Sequence, residues 1–409
     1  MNDNLATPVT ASARTHVLQI VGNAIVGGME NYVVRLVERL PRERYGISVL
    51  APFESPFTDR LREFGADVFI TQVTDEPSWQ SIQLASALIQ SRAVDVIQSH
   101  LPNAHVLAAL AGRLTGRPVL ATVHGRAMTT LDIEVQRLAG THLAVVCRQS
   151  FFQALGVGID PRLVHFVPNG VDVERFRPQQ SRSGALRRRF AIDADAPLVG
   201  FIGRLSAEKG PDLFLRAALS IRSQCPDAHF VLVGEGAMLK QLQLFASRFG
   251  IADAVHFAGS QDEMPAVFNE LDIVVSSSLS EAMPLAVMEA MASGLPVVAC
   301  KVGGIPDLVA HGITGWLADD GDYEALATRV VDLIEHEELR IATGAAARER
   351  AVGRMGLDQS VEVTMRLFAQ LSAQRSDARR FGTLHEARPI RTNGAAVKPA
   401  AAAAAAAQR

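Results

Sequence analysis

Short apolar runs alternating with amphipathic segments, twice over, constrain this 409-residue chain more than any other feature. In the first half VLQIVG (17–22), ISVLAP (47–52), DVFIT (67–71), VDVIQSH (94–100), PVLATVHG (118–125), HLAVVC (142–147) and LVHFVPNGVD (163–172) read as strands. Runs this apolar suit strands buried on both faces of a parallel sheet. Helical patterns separate them, among them 57–66, 78–92 and 103–114. The second half repeats the scheme with APLVGFIGRL (196–205), HFVLVGEG (229–236), AVHFAGS (254–260), LDIVVSSS (271–278), PVVAC (296–300) and TGWLAD (314–319). Helices are expected there over about 211–223, 237–248, 263–269 and 322–336. Such an order implies α/β architecture: two doubly wound, Rossmann-like parallel-sheet domains with helices on both faces, facing across a cleft. Ligands bind such sheets beyond the carboxyl ends of the strands.

The polar stretch RFRPQQSRSGALRRRF (175–190) reads as the interdomain linker leading into a helix. Its arginines lack interleaved aromatics, which disfavours a nucleic-acid patch. The expected division is a disordered N-terminus (1–15), a first Rossmann-like domain (16–180), a second (181–356) and a terminal helix (357–375). Val361, Met365, Leu367, Phe368 and Leu371 give that helix its period. Residues 376–409, Ala-rich at 400–407, read as a disordered tail. From Arg375 onward seven Lys/Arg stand against two Asp/Glu, which leaves open a weak hold on anionic lipid.

With 48% hydrophobic residues, 20% charged and a net charge of −3, the composition gives no support to nucleic-acid binding. No window reaches the ~18 uninterrupted apolar residues of a membrane span, and MNDNLATPVTASART lacks the apolar core of a signal peptide. The expected location is cytoplasmic, with peripheral contact at the inner face of the membrane left open. Cys147, Cys225 and Cys300 are far apart with no CxxC spacing, so they read as small buried hydrophobes rather than a disulfide or zinc framework.

Chemistry concentrates in SSLSEAMPLAVMEAMASG (277–294), which carries Glu281 and Glu289. With 284–293 helical, Pro284 suits the first turn and Gly294 the position just past the end. Leu285, Met288, Glu289 and Ala292 then share one stripe. A carboxylate there is costly unless something bonds to it, although Glu is also a good helix former at a stripe's edge. In the first half, Gly27-Gly28 precede a helix with Tyr32, Val33, Leu36 and Leu40 at helical spacing. A Gly-rich turn opening a helix can bind an anion, but a plain tight turn fits as well, and the pattern is neither GxGxxG nor a P-loop. His100 and His124 both fall at strand ends; the first reads as structural, while His124, beside flexible Gly125, is the better functional candidate.

Taken in order, GGMENYVVRL, TVHG, VPNGVD, GRLSAEKG, LVGEG, SEAMPLAVMEAMASGLPVVA, VGGIPDLV and HGITGWL resemble the retaining GT-B glycosyltransferases of family 4 over roughly residues 16–375. The resemblance implies a GT-B fold with 16–180 as the acceptor-side and 181–356 as the donor-binding domain, a terminal helix packed back on the first domain, and a nucleotide-sugar donor. It places Arg204 and Lys209 on the donor diphosphate, where two cations offset the leaving group's growing charge and no metal or other cofactor is required. Glu289 would accept from the ribose hydroxyls, and is expected to look under-satisfied in the protein alone. Glu281 would lie against the donor sugar, with His124 near its anomeric centre from the other domain. Backbone amides of Met283 and Leu285 around Pro284 would add donors, with Gly203 and Gly234 in the donor loops. Gly28 would permit close approach of phosphate or acceptor.

The implied reaction is glycosyl transfer with retention, through an oxocarbenium-like transition state, to a glycan, lipid-linked or small-molecule acceptor, as in polysaccharide biosynthesis. Glu281 and Glu289 do not read as a glycosidase pair, because one is assigned to the ribose; front-face attack fits better. Two departures stand out: Met29 follows Gly28 where a smaller residue is common, and Asp307 replaces a more usual Glu. A nucleotide-sugar epimerase or hydrolase, or a silent sugar-nucleotide-binding protein, would use the same fold.

Overall fold

The computed structural model describes residues 14–25, 27–179, 181 and 183–382. Thirteen strands among these residues form two parallel sheets. The first holds β1 (Thr15–Val21), β2 (Tyr45–Ala51), β3 (Asp67–Ile70), β4 (Val96–His100), β5 (Val119–Val123), β6 (His142–Val145) and β7 (Val164–Phe166), in the order β3-β2-β1-β4-β5-β6-β7. The second holds β8 (Leu198–Ile202), β9 (His229–Val233), β10 (Val255–Gly259), β11 (Ile273–Ser276), β12 (Val297–Cys300) and β13 (Gly315–Ala318), in the order β10-β9-β8-β11-β12-β13. Each apolar run read from the sequence is a strand. Strand order reverses between β1 and β4 and between β8 and β11, and these reversals are where doubly wound sheets bind ligands.

Both faces of the central strands are dry. In β1, Val17 and Val21 enter one core layer and Leu18 and Ile20 the opposite one, as the two-residue period demands. Four helices had no counterpart in the sequence reading: Thr130–Ala139, Arg148–Gly156, the four-residue Ile305–Leu308 and Glu337–Arg354. The first carried a legible signal, a capping box in which Thr129 and Asp132 bond reciprocally.

Sequence boundaries need correction at both ends. Thr15 already belongs to β1, and the terminal helix runs Leu357–Gly382, so 376–382 is helical rather than tail. Residues 1–13 and 383–409, including the Ala-rich run, lie outside the described residues. The terminal helix puts Leu357, Val361, Leu367, Phe368 and Leu371 into the first domain's core. Where the chain passes between domains it is stitched to this return path: Val171 N–H donates to Met355 O, and Leu357 N–H to Val171 O.

The 175–190 stretch is less free than its polarity suggests. Phe176 and Arg187 are buried, and Glu270 accepts from Ser183 Oγ and from the amides of Ala185, Leu186 and Arg187. Cys147 and Cys300 are buried and Cys225 half-buried, all three as free thiols.

Candidate active site

The loops leaving β8 and β11 meet at the second sheet's strand-order reversal. Lys209 Nζ, at the end of a short 3-10 turn, donates to Glu281 Oε1 at 2.7 Å, and Ser278 Oγ donates to the same oxygen at 2.8 Å. Backbone contacts fix this pairing: Leu279 N–H donates to Glu208 O, and Ser277 Oγ to Gly210 O. Gly210, with φ +61°, permits the approach, since a Cβ there would sit 2.2 Å from Ser277 O. Below Glu281, a Cβ on Gly303 would fall 1.5 Å from the Glu281 carbonyl oxygen. The loop's shape is thus set by backbone packing, and its carboxylate by a lysine.

The following helix spans Leu285–Ala292, with Pro284 as its N-cap rather than in its first turn: ψ of 120° there is extended. No side chain caps its start, so first-turn amides, Leu285's among them, have no intrahelical acceptor. Gly294 at φ +79° closes it. The single apolar stripe expected for this helix is not what forms. Val287 to Ala292 are all buried, so the helix is wrapped by protein on every side. Met283 is held by the other domain: Asn169 Nδ2 donates to its carbonyl at 3.0 Å, and Asn169 N–H approaches its Sδ at 3.2 Å.

Glu289 is 8% exposed, yet it does not lack a partner. Arg35 Nη2, from the first domain's Gly28–Arg39 helix, donates to Glu289 Oε1 at 2.9 Å. The carboxylate is thus half-satisfied: an arginine distant in sequence bonds Oε1, while Oε2 has no hydrogen-bond partner among the described residues. Burial pushes the Glu289 carboxyl above its ordinary value, and Arg35 and then Arg175 pull it back.

Arg204 extends into solvent, its side chain 67% exposed, with Glu208 Oε1 3.9 Å away. Gly203 and Gly234 lie side by side: a Cβ on Gly234 would meet Gly203 O at 2.1 Å, and Gly203 N–H donates to Val233 O. Both serve the close approach of two loops.

On the first domain, Gly28 opens its helix with nothing within 4 Å of where a Cβ would project. Glu30, two residues on, is buried, and burial raises its carboxyl pKa while its own amide and Arg204 lower it. His124 follows β5 and ends a chain of hydrogen bonds: Gln98 Nε2 donates to Thr122 Oγ1, Gln19 Nε2 to Gln98 Oε1, His100 Nε2 to Gln19 Oε1, and His124 pairs with His100 Nδ1 at 2.8 Å. With the amides so oriented, His100 must carry its proton on Nε2 and accept at Nδ1. His124 therefore donates from Nε2 and keeps a lone pair on Nδ1. Desolvation holds its pKa down to about 3, so the ring is neutral. His100 keeps its structural reading, with a purpose: it fixes the tautomer of His124.

Lys209 and Glu281 thus meet directly, Met283, Pro284, Leu285 and Glu289 follow on the same loop and helix, and His124 and Gly28 belong to the other domain, which reaches Glu289 through Arg35. The sequence reading missed Arg35, Asn169 and Ser278. Arg35 and Asn169 had no local signal, because their partners lie on the other domain.

Two doubly wound domains, each presenting its strand-order reversal toward the other, define the GT-B class of glycosyltransferase fold. Residues 183–350 match the family described as Glycosyl transferases group 1, and residues 26–175 that described as Glycosyltransferase Family 4; this chain belongs to the group 1 glycosyltransferases and is a glycosyltransferase. It is 31% identical over 355 residues to the GDP-mannose-dependent alpha-(1-6)-phosphatidylinositol monomannoside mannosyltransferase of Mycobacterium tuberculosis, covering 79% of this chain and 89% of that one. It is 25% identical to the UDP-Gal:alpha-D-GlcNAc-diphosphoundecaprenol alpha-1,3-galactosyltransferase of Escherichia coli, covering 78% and 87%. In fold it is similar to Anabaena HepE in complex with UDP, with a TM-score of 0.77 at 22% identity over 87% of this chain and all of that one.

Proposed function

We propose that this glycosyltransferase moves a sugar from a nucleoside-diphosphate sugar to a hydroxyl of a lipid-linked or polyol-phosphate acceptor, with retention at the anomeric carbon. The observation that carries the reading is the Lys209–Glu281 pair at the β8/β11 reversal, a carboxylate made ready beside a fixed cation. The relatives support the donor class, being named for UDP-galactose and GDP-mannose, and the acceptor class, being named for a diphosphoundecaprenol and a phosphatidylinositol mannoside.

Lys209 and Arg204 take the diphosphate and offset its growing charge, so the reaction needs no metal. Glu281 bonds the sugar hydroxyls, the amides at the start of the Leu285–Ala292 helix bond sugar or phosphate, and Glu289 bonds the ribose. Neutral His124 faces the transferred sugar from the other domain, and the space above Gly28 admits the acceptor. The C1–O bond to phosphate breaks, a C1–O bond to the acceptor forms on the same face, and the acceptor's proton passes to a phosphate oxygen. Among the described residues no helix is long and apolar enough to cross a membrane, so a lipid-linked acceptor is met at the surface.

The test is turnover of UDP-, GDP- and ADP-sugars with and without polyprenyl-diphosphate sugars and inositol phospholipids, followed by NMR of the product's anomeric proton. Transfer with inverted configuration overturns retention. Donor consumption with no acceptor dependence makes the protein a hydrolase or epimerase.

A further inference from the structure

The Arg35–Glu289 contact joins two domains through a residue pair 254 positions apart in the chain. Both side chains are largely buried, 15% and 10% exposed. A buried ion pair gains little net stability, because desolvation of both charges offsets their attraction. Its presence here calls for another account.

Arg35 is held on several sides. Its guanidinium lies 5.7 Å over the Phe176 ring, in the segment joining the domains. One turn further along the same helix, Arg39 pairs with Asp172 at 2.5 Å and with Asp358 at 3.2 Å, which fixes the helix against the crossover. Arg175, in the crossover, also favours the charged form of Glu289, and Arg348 Nη1 donates to Ala292 O at the end of Glu289's own helix. Arg35 alone bonds the carboxylate, through Oε1; Oε2 has no hydrogen-bond partner among the described residues.

We propose that Arg35 is a positioning residue for nucleotide binding: from the acceptor-side domain it holds one oxygen of Glu289 so that the other is left for the ribose hydroxyls. The proposal rests on Glu289 being the ribose ligand. Arg35 then keeps a buried carboxylate in its accepting form and in one orientation, two conditions for bonding a vicinal diol. It also makes nucleotide affinity depend on how the domains sit, because the two halves of the contact belong to different domains.

The experiment measures binding of UDP and GDP and of their 2′,3′-dideoxy analogues by calorimetry to the full-length protein and to R35M, R35K and E289Q. Wild type should prefer the ribose forms by about ten- to hundredfold, the range for hydrogen bonds to a charged group. R35M should lose most of that preference while its affinity for the dideoxy analogues stays near wild type, and R35K should recover part of it. In R35M the preference should also fade at a higher pH than in wild type, since the arginine no longer opposes protonation of the buried carboxyl. An R35M protein that keeps the full preference overturns the proposal, as does one that binds ribose nucleotides more tightly, which would make Arg35 a competitor for Glu289. Equal loss for ribose and dideoxy forms assigns Arg35 to domain packing alone and also overturns it. If wild type itself does not discriminate, or if E289Q discriminates fully, the ribose assignment of Glu289 has failed instead.

Discussion

Lys209 Nζ lies 2.7 Å from Glu281 Oε1 and joins the loops after β8 and β11 into one surface. Each residue answers the other's need: a carboxylate 8% exposed is costly without a bonded partner, and the lysine supplies it while Ser278 adds a neutral bond. In the proposed reaction the same ammonium serves both this carboxylate and the donor diphosphate.

Lys209→Ala removes a transition-state cation and leaves Glu281 half-satisfied. We expect kcat/KM for the donor to fall by about 10²–10³, the range for deleting one preorganised electrostatic group. Donor kinetics check this, and Lys209→Arg should recover part of the loss. Full activity in Lys209→Ala would sink the donor-site assignment.

His124 should remain neutral throughout the working pH range, its pKa held at about 3 by desolvation. Its imidazole signal in NMR should not titrate between pH 8 and 4.5, and no acid limb near 6.5 in kcat should belong to it. His100→Phe, which breaks the chain from Gln19, should lower kcat more than it raises donor KM. A midpoint for His124 near 6.5 contradicts the picture.

Two stacked histidine pairs, His142–His165 and His229–His256, sit on neighbouring parallel strands in the two domains. Burial, with the partner ring's charge, holds His142 and His256 at about 4. In the unfolded chain they take up protons near 6.5, so between those values the unfolded state binds more protons. Stability is fully present above 6.5 and is lost as pH falls toward 4. The melting temperature should drop by several degrees from pH 6.5 to 5, and His142→Asn with His256→Asn should flatten that slope. A double variant with the wild-type slope would falsify this.

Gly303→Ala places a Cβ 1.5 Å from Glu281 O at a φ of +55°. The left-handed backbone alone costs about 1–2 kcal/mol, and relieving the clash must push the Glu281 loop away from Lys209. Thermal stability should fall by more than that backbone cost, together with loss of activity, whereas Gly250→Ala, also at positive φ but with open space around it, should lose only the backbone cost and keep activity. Equal behaviour of the two variants would remove the packing argument.

Much of this architecture is local in origin, and local chemistry is what a sequence displays. Apolar β-branched runs such as those at β8 and β11, short and bounded by turn residues, read as buried strands, and their alternation with helices implies parallel order. The Glu281 and Glu289 stretch, the GRLSAEKG loop and TVHG were legible because residue types and spacing persist in one dimension. Four helices escaped, one of them despite its Thr129–Asp132 box, because they were very short, as Ile305–Leu308 is, or had apolar periods weak beside those of the strands.

Other features belong to no single stretch. Nothing about Arg35 in NYVVRLVERL distinguishes it from a solvated helix arginine, and nothing in PNGVD announces that Asn169 will grip Met283. The helix carrying Glu289 reads as one-sided, and only its neighbours reveal that it is wrapped. Two parallel-sheet domains and the loops that hold the candidate site were set by local sequence, because strand burial and turn geometry are fixed within tens of residues. Tertiary structure alone decided which charges meet, Lys209 with Glu281 and Arg35 with Glu289, because an ion pair forms wherever folding brings two desolvated groups within about 4 Å, however many residues separate them.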